Sequence, residues 1–239
     1  MKVAVVRFPG SNCDLDMVHG LRLVRGVEPA LVWHEDESLG RGGWDAVVLP
    51  GGFSFADRLR AGAIAANSPA MAEVRRLAER GTPVLGVCNG FQILVEAGLL
   101  PGALLRNSTL KFVCKWTHVR VEDTGTPFTR SLKAGQVLDL PIAHGEGRFY
   151  LERGELARLE RDGLVAFRYC DGSGRPTPAS NPTGTLHNIA GLRNKEGNVV
   201  GLMPHPERAV EALLSPFGTS HGAMVLSSLL AGPARRDRA

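Results

Sequence analysis

Short, nearly uninterrupted apolar runs punctuate the first hundred residues: Val3–Val6, Ala30–Trp33, Ala46–Leu49 and Val84–Val87. A fifth, Val199–Met203, follows near the far end. Runs this short, valine-rich and without polar alternation suit strands buried on both faces of a sheet. The segments between them carry helix signals. Asn12 is placed to cap a helix through Arg25, with Asp14 and Asp16 in the first turn, where the helix dipole favours negative charge. Ser68-Pro69 opens a second helix that ends near Arg80, with Gly81 at the left-handed stop position. A third runs from Asn89 to Ala97 and halts at Gly98.

Strands alternating with helices imply a parallel sheet. The expectation is a doubly wound α/β domain whose mostly parallel central sheet is flanked by helices. Further along, residues 103–121 and 137–170 read as strands and hairpins. The glycines, prolines and polar residues of 171–184 read as a long loop, and Ser220–Leu230 as the last helix. No repeat and no break in pattern appears. One domain over 1–239 is therefore expected, with 232–239 a flexible tail.

Composition narrows the classes without changing that picture. Hydrophobic residues are 44% and charged residues 22% of the 239, which excludes a disordered chain. No stretch approaches the roughly 20 apolar residues that span a bilayer. Lys2–Val6 enters a strand at once, without a basic segment, an apolar core and a cleavage site, so no secretion signal is read and the cytoplasm is expected. A net charge of +4 without a long basic run argues against nucleic acid, and Arg235-Arg236-Asp237-Arg238 reads as solvated chain. The four cysteines, 13, 88, 114 and 170, form no C-x-x-C pair and do not cluster with histidines. A disulfide framework and a structural metal site are both disfavoured.

One cysteine stands apart. In Pro83-Val84-Leu85-Gly86-Val87-Cys88-Asn89-Gly90-Phe91-Gln92 an apolar strand runs into a helix, with Cys88 at the junction and a glycine two residues away on each side. A sharp strand-to-helix turn lifts a nucleophile above the sheet edge, and the helix N-terminus favours the reactive thiolate. A core cysteine at a strand end explains the same segment equally well when it is taken alone. Near the other end, two prolines bracket His205 in Met203-Pro204-His205-Pro206-Glu207, and each pushes the residue before it into extended backbone. Residues i and i+2 of extended chain project to one side, about 6.6 Å apart in rise. Glu207 can thus orient one imidazole nitrogen while the other faces a substrate, the arrangement used in nucleophilic acyl transfer. The bland alternative is a rigid turn with a solvated histidine. After the Ala46–Leu49 strand, Pro50-Gly51-Gly52-Phe53-Ser54 allows backbone N–H groups to face a ligand, or it is a plain turn. As an oxyanion loop it would act together with the amide of Asn89.

These pieces, in this order, resemble class I glutamine amidotransferases, and the likeness is nearest to the glutaminase subunits of a purine-biosynthetic synthetase. Matching segments run nearly end to end. They include Arg7–Asp14, Leu49–Ser54, Arg60–Ala65, Gly86–Gln92, Arg106-Asn107, Leu110–Lys115, Pro141–Gly147, Asn188–Gly191 and Met203–Val210. The resemblance implies a flavodoxin-like fold, with Cys88 as nucleophile, His205 as proton shuttle and Glu207 as its orienter. It assigns the amides of Gly52 and Asn89 to the oxyanion and Gln92 to glutamine binding. No metal or organic cofactor is implied on this chain. No G-x-x-x-x-G-K-[ST] loop is present, and the resemblance places ATP and magnesium on a large synthetase subunit, joined by a small third subunit. Two departures stand beside the site: Ser54-Phe55-Ala56-Asp57-Arg58 where the family has Ser-Tyr-Gly-Asp-Tyr, and Thr183 where asparagine is common.

His144 and Glu146 repeat the His-x-Glu spacing and read as loop-organising or partner-facing. Cys13, Cys114 and Cys170 lack an elbow and read as structural. Asp57 and Arg60 either bracket the glutamine pocket or pair with each other. Other readings stay open at this stage: a glutaminase for another pathway, a cysteine hydrolase or chaperone-like protein of the related elbow fold, and a catalytically silent scaffold.

Overall fold

The computed structural model describes residues 1–36 and 38–231; the expected tail, 232–239, lies outside them. The strands are β1 (Lys2–Arg7), β2 (Glu28–Trp33), β3 (Ala46–Leu49), β4 (Val84–Val87), β5 (Ala103–Leu105), β6 (Val113–Val121), β7 (Val137–His144), β8 (Arg148–Tyr150), β9 (Val165–Cys170), β10 (Ile189–Arg193) and β11 (Val199–Leu202), with α-helices between successive strands from β1 to β5 and again between β8 and β9. The helices are α1 (Asp14–Arg22), α2 (Ser38–Arg41), α3 (Pro69–Glu79), α4 (Asn89–Glu96), α5 (Arg153–Arg161) and α6 (His221–Ser227). Nine strands form one sheet in the order β2-β1-β3-β4-β11-β10-β9-β6-β7, and β5 pairs with β8 separately. The five strands from β2 to β11 in that order all run parallel to one another. Beyond them β10 and β6 run against the rest.

The all-apolar runs behave as their pattern requires. Val3–Val6, Ala46–Leu49, Val84–Val87 and Val199–Leu202 are buried throughout. β2 differs: it is the edge strand and leaves Leu31 and Trp33 exposed. Composition alone does not separate an edge strand from a central one. Helix α1 begins after Cys13, which caps it without a side-chain hydrogen bond, and it ends at Arg22. Asn12 does not cap it; its Oδ1 faces the Cys13 thiol at 3.4 Å. Helix α5, inside the stretch expected to hold only strands and hairpins, is amphipathic and buries Leu156 and Leu159. Its arginines and glutamates masked a narrow apolar stripe. The loop of 171–184 is present, with one short 3-10 turn. Among the described residues no helix is long and apolar enough to cross a membrane.

Close packing of α4 fixes the geometry of everything above it. Gly86 of β4 and Gly201 of β11 are register partners. A Cβ on Gly201 would lie 2.1 Å from the Phe91 ring, and one on Gly86 would lie 2.6 Å from the Gly90 carbonyl. A Cβ on Gly90 would come within 1.9 Å of the Leu49 carbonyl. The three glycines let the helix settle directly on the sheet. The chain leaves β1 for β2 on one side and β3 on the other, so a switch point opens between β1 and β3. In such sheets ligands bind outside the carboxyl ends of the strands at the crevice.

Candidate active site

Four strand ends deliver the site. The turn after β1 brings Asn12 and Cys13, β3 brings Gly51 and Gly52, β4 brings Cys88, and β11 brings His205. Cys88 sits between β4 and α4 with φ 51° and ψ −105°, a left-handed backbone that a cysteine adopts only where its surroundings hold it. The residues that follow it open α4, whose first amides have no intrahelical acceptor. Cys88 is 5% exposed, and its sulfur lies 3.9 Å from the Ala143 carbonyl.

His205 has the extended backbone set by its prolines, φ −103° and ψ 93°. Its amide donates to the Pro141 carbonyl at 2.8 Å, anchoring the turn to β7. Nδ1 meets Glu207 Oε1 at 2.6 Å, and both side chains are buried. Nε2 is buried with no hydrogen-bond partner and faces the thiols of Cys88 and Cys13. Burial by itself would strip the proton from His205. The Glu207 carboxylate, then the two thiols, outweigh burial and hold its pKa well above the usual histidine range. The imidazole is therefore cationic at neutral pH, next to a nucleophile that works as an anion.

Two clefts meet at Cys88. One, of about 270 Å³, is lined by Asn12, Cys13, Cys88, His205 and Arg208, among others. The other, of about 150 Å³, is lined by Asp57, Cys88, Gln92, His144 and Glu146. Gly52, Phe53, Phe112 and Ala143 border both. Gly52 has φ 151°, and a Cβ there would lie 2.7 Å from Ser11 Cα; only glycine lets the loop after β3 bridge to the turn after β1. The side chains of Asn89 and Gln92 are engaged with the protein. Asn89 Oδ1 accepts from the Ser54 amide at 3.1 Å, and its Nδ2 donates to Gln92 Oε1 at 3.0 Å. Gln92 Nε2 donates to the Glu146 carbonyl at 2.7 Å. Gln92 thus borders the smaller cleft while tying the loop after β7 to α4.

Several open sequence readings resolve in space. Arg60 does not pair with Asp57; it forms a two-pronged ion pair with Glu96, and of the two only Asp57 lines the cleft. The His144 ring also lines the smaller cleft, and burial together with the nearby His205 pushes its pKa down to about 3. Cys170 is buried in β9, where burial pushes its thiol up to about 11. Cys114 is exposed. Cys13, read as structural, instead shares the His205 cleft. It lies in the Arg7–Asp14 match but has no elbow, so only the fold reveals its position. Donor atoms of Cys13, His205 and Glu207 lie within 4.8 Å of one another, a set that could hold a thiophilic cation. Thr183 is buried and donates from Oγ1 to the Gly147 carbonyl at 3.3 Å, so it steadies the same loop.

A doubly wound sheet with a cysteine elbow beside a histidine–glutamate pair defines the class of cysteine-dependent amidotransferases. A family model of the CobB/CobQ-like glutamine amidotransferase domain matches residues 1–225. The chain is 55% identical over 230 residues to phosphoribosylformylglycinamidine synthase subunit PurQ of Thermomicrobium roseum, covering 96% of this chain and 95% of that one. It is 53% identical over 229 residues to the same-named subunit of Methanosarcina mazei, covering 96% and 97%. The structure of PurLQS from Thermotoga maritima superposes with a TM-score of 0.82 at 42% identity, over 96% of this chain and 97% of that one. Another glutamine amidotransferase from Thermotoga maritima shares the fold alone, with a TM-score of 0.55 at 18% identity over 90% and 78% of the two chains. The chain belongs to the PurQ family of glutamine amidotransferases.

Proposed function

We infer that this chain is the glutaminase subunit of phosphoribosylformylglycinamidine synthase, releasing ammonia from glutamine for a partner ATP-dependent synthetase that makes formylglycinamidine ribonucleotide in purine biosynthesis. The observation that carries the reading is the meeting, at the carboxyl ends of adjacent parallel strands, of the Cys88 elbow with the His205–Glu207 pair.

The Cys88 thiolate attacks the side-chain carboxamide carbon of glutamine. The oxygen of the tetrahedral intermediate takes its negative charge against the amides of Gly52 and Asn89. As the C–N bond breaks, cationic His205 gives its proton to the departing ammonia, leaving a γ-glutamyl thioester on Cys88. Neutral His205 then takes a proton from water, the hydroxide attacks the thioester, and glutamate leaves with the thiolate restored. Glu207 holds the imidazole in place and stabilises its charged form. The chemistry on this chain needs no metal or organic cofactor; ATP and magnesium belong to the synthetase.

Free ammonia is mostly protonated at neutral pH and then has no lone pair to attack with, so the product must be passed on under cover. Partner docking over the cleft supplies that cover. Phe53 and Phe112, which border both clefts, and nearby Leu110 are exposed apolar side chains suited to being covered. The partners are the synthetase, which is the large subunit of the complex, and its small third subunit. The setting is the cytoplasm.

Cys88→Ala tests the reading in the reconstituted complex. Glutamine-dependent synthesis is expected to fall by about 10⁴-fold or more, while synthesis from added ammonium persists. Glutamine-dependent turnover surviving in the variant would remove Cys88 from the mechanism.

A further inference from the structure

The chemistry at Cys88 leaves two groups beside it unused. Cys13 shares the cleft of about 270 Å³ with Cys88 and His205 but takes no part in attack, protonation of the leaving group or hydrolysis. It is buried, its amide donates to the Gly51 carbonyl at 3.2 Å, and its thiol donates to Asn12 Oδ1 at 3.4 Å. The second group is one oxygen of Glu207. Oε1 meets His205 Nδ1 at 2.6 Å, while Oε2 is buried with no hydrogen-bond partner. Buried polar atoms are seldom left unpaired, and an orphaned charged group costs more than a neutral one.

These groups converge. Donor atoms of Cys13, His205 and Glu207 lie within 4.8 Å of one another, and all three residues are buried. Gly51 keeps the space beside them open: a Cβ there would lie 2.7 Å from His205 Cε1 and 3.3 Å from Cys13 Sγ. A tetrahedral zinc ion holds sulfur at about 2.3 Å and nitrogen or oxygen at about 2.0–2.2 Å, so its donors stand roughly 3.3–3.8 Å apart. Modest side-chain shifts bring the three to that spacing. The donor set also selects its ion, because thiolate and imidazole suit zinc-class cations, whereas calcium and magnesium take oxygen. Access comes from two clefts, one lined by Cys13 and His205 and the other, of about 510 Å³, by Glu207.

We propose that Cys13, His205 and Glu207 form a site for one thiophilic divalent cation of the zinc class, and that the bound ion holds the glutaminase silent. The ion takes the place of the Cys13 thiol proton and of the extra proton on the imidazole. Held by the metal, His205 no longer carries the proton that departing ammonia needs. The same three residues thus serve catalysis without the ion and block it with the ion bound. The silencing rests on the glutaminase reading above; the binding does not.

The full chain is titrated with Zn²⁺ against a chromophoric chelator, and with Co²⁺, whose bond to a thiolate gives a charge-transfer band in the near ultraviolet. One ion per chain, with that band, is expected. Loss of an outer-shell partner alone weakens metal sites about 10–100-fold. Cys13→Ser is therefore expected to weaken zinc binding at least about a hundredfold and to abolish the cobalt band. Cys114→Ser, at an exposed position bordering the same cleft, keeps both. Cys88→Ala also keeps the band, since Cys13 supplies it, and this variant decides the matter if Cys13→Ser fails to fold. In the complex with its synthetase, zinc abolishes glutaminase activity and a chelator restores it. The zinc concentration for half inhibition rises in Cys13→Ser by the factor by which affinity falls. Equal zinc affinity in the unaltered chain and a folded Cys13→Ser variant overturns the site, as does a cobalt band lost in Cys88→Ala. Tight binding that leaves glutaminase activity intact overturns the silencing. A complex that releases no ammonia from glutamine before any zinc is added overturns the glutaminase reading instead.

Discussion

Glu207 shows how much one residue decides. Its carboxylate is fully buried and hydrogen-bonded to His205 Nδ1, and it is the largest influence raising the histidine against the pull of burial. Glu207→Gln keeps the shape and removes the charge, so burial is left to favour neutral imidazole. Glutaminase kcat in the complex is expected to fall about 10³–10⁴-fold, with the chain still folded by circular dichroism. A loss of less than tenfold would mean that the carboxylate does not govern the imidazole. The sign of the linkage is fixed by direction. A histidine raised on folding adds stability in full below its unfolded value, near 6.5, and that contribution drains as pH climbs through its higher folded value. Asp57 follows the same pH direction, because its carboxyl is raised as well. Its folded carboxyl, at about 6, disfavours the folded state once it ionises. After discounting for its partial exposure, Asp57→Asn is expected to raise stability at pH 7 by about 1 kcal/mol. A melting scan at pH 7 checks the rise.

Elements transmit the same logic. Helix α4 touches the sheet through Gly86, Gly90 and Gly201, and that contact sets the height of Cys88 above the strands. Gly90→Ala forces a methyl into the Leu49 carbonyl. The expected destabilisation is about 3 kcal/mol, read as a melting temperature lower by about 10 °C. Glutaminase activity should be lost even in protein that remains folded, because the elbow must move to admit the methyl. The loop after β3 holds the opposite case. Ala56 occupies a left-handed position, φ 57°, where the family has glycine, and that geometry is the physical reason for the family's choice. Ala56→Gly is expected to stabilise by about 1 kcal/mol, a rise of about 3 °C. No change in melting temperature would show that the strain is relieved elsewhere.

At the scale of the whole molecule, the parallel half of the sheet builds the site and the antiparallel half braces it. Cys88 and His205 stand far apart in the chain, yet β4 and β11 are neighbours in register from Val84 and Val199 onward. β7 contributes from further off. Its Pro141 carbonyl anchors the His205 amide, and its end carries His144 to the cleft.

Much of this was legible in the chain itself. All-apolar runs specify central strands because a strand covered on both faces has no polar side to show, and the bracketing prolines fix the backbone of His205 before any tertiary contact forms. The elbow segment is equally local, since strand, turn and helix are consecutive. Other features had no local signature. The exposed edge position of β2 and the narrow stripe of α5 depend on what lies alongside them, and Asn12 lost its capping role to a turn set by the sheet. The place of Cys13 beside His205, the separation of Arg60 from Asp57 and the unpaired ring nitrogens of His144 arise only when distant segments converge. Local sequence determines backbone preference and periodicity; charge balance and desolvation belong to groups that the fold alone brings together.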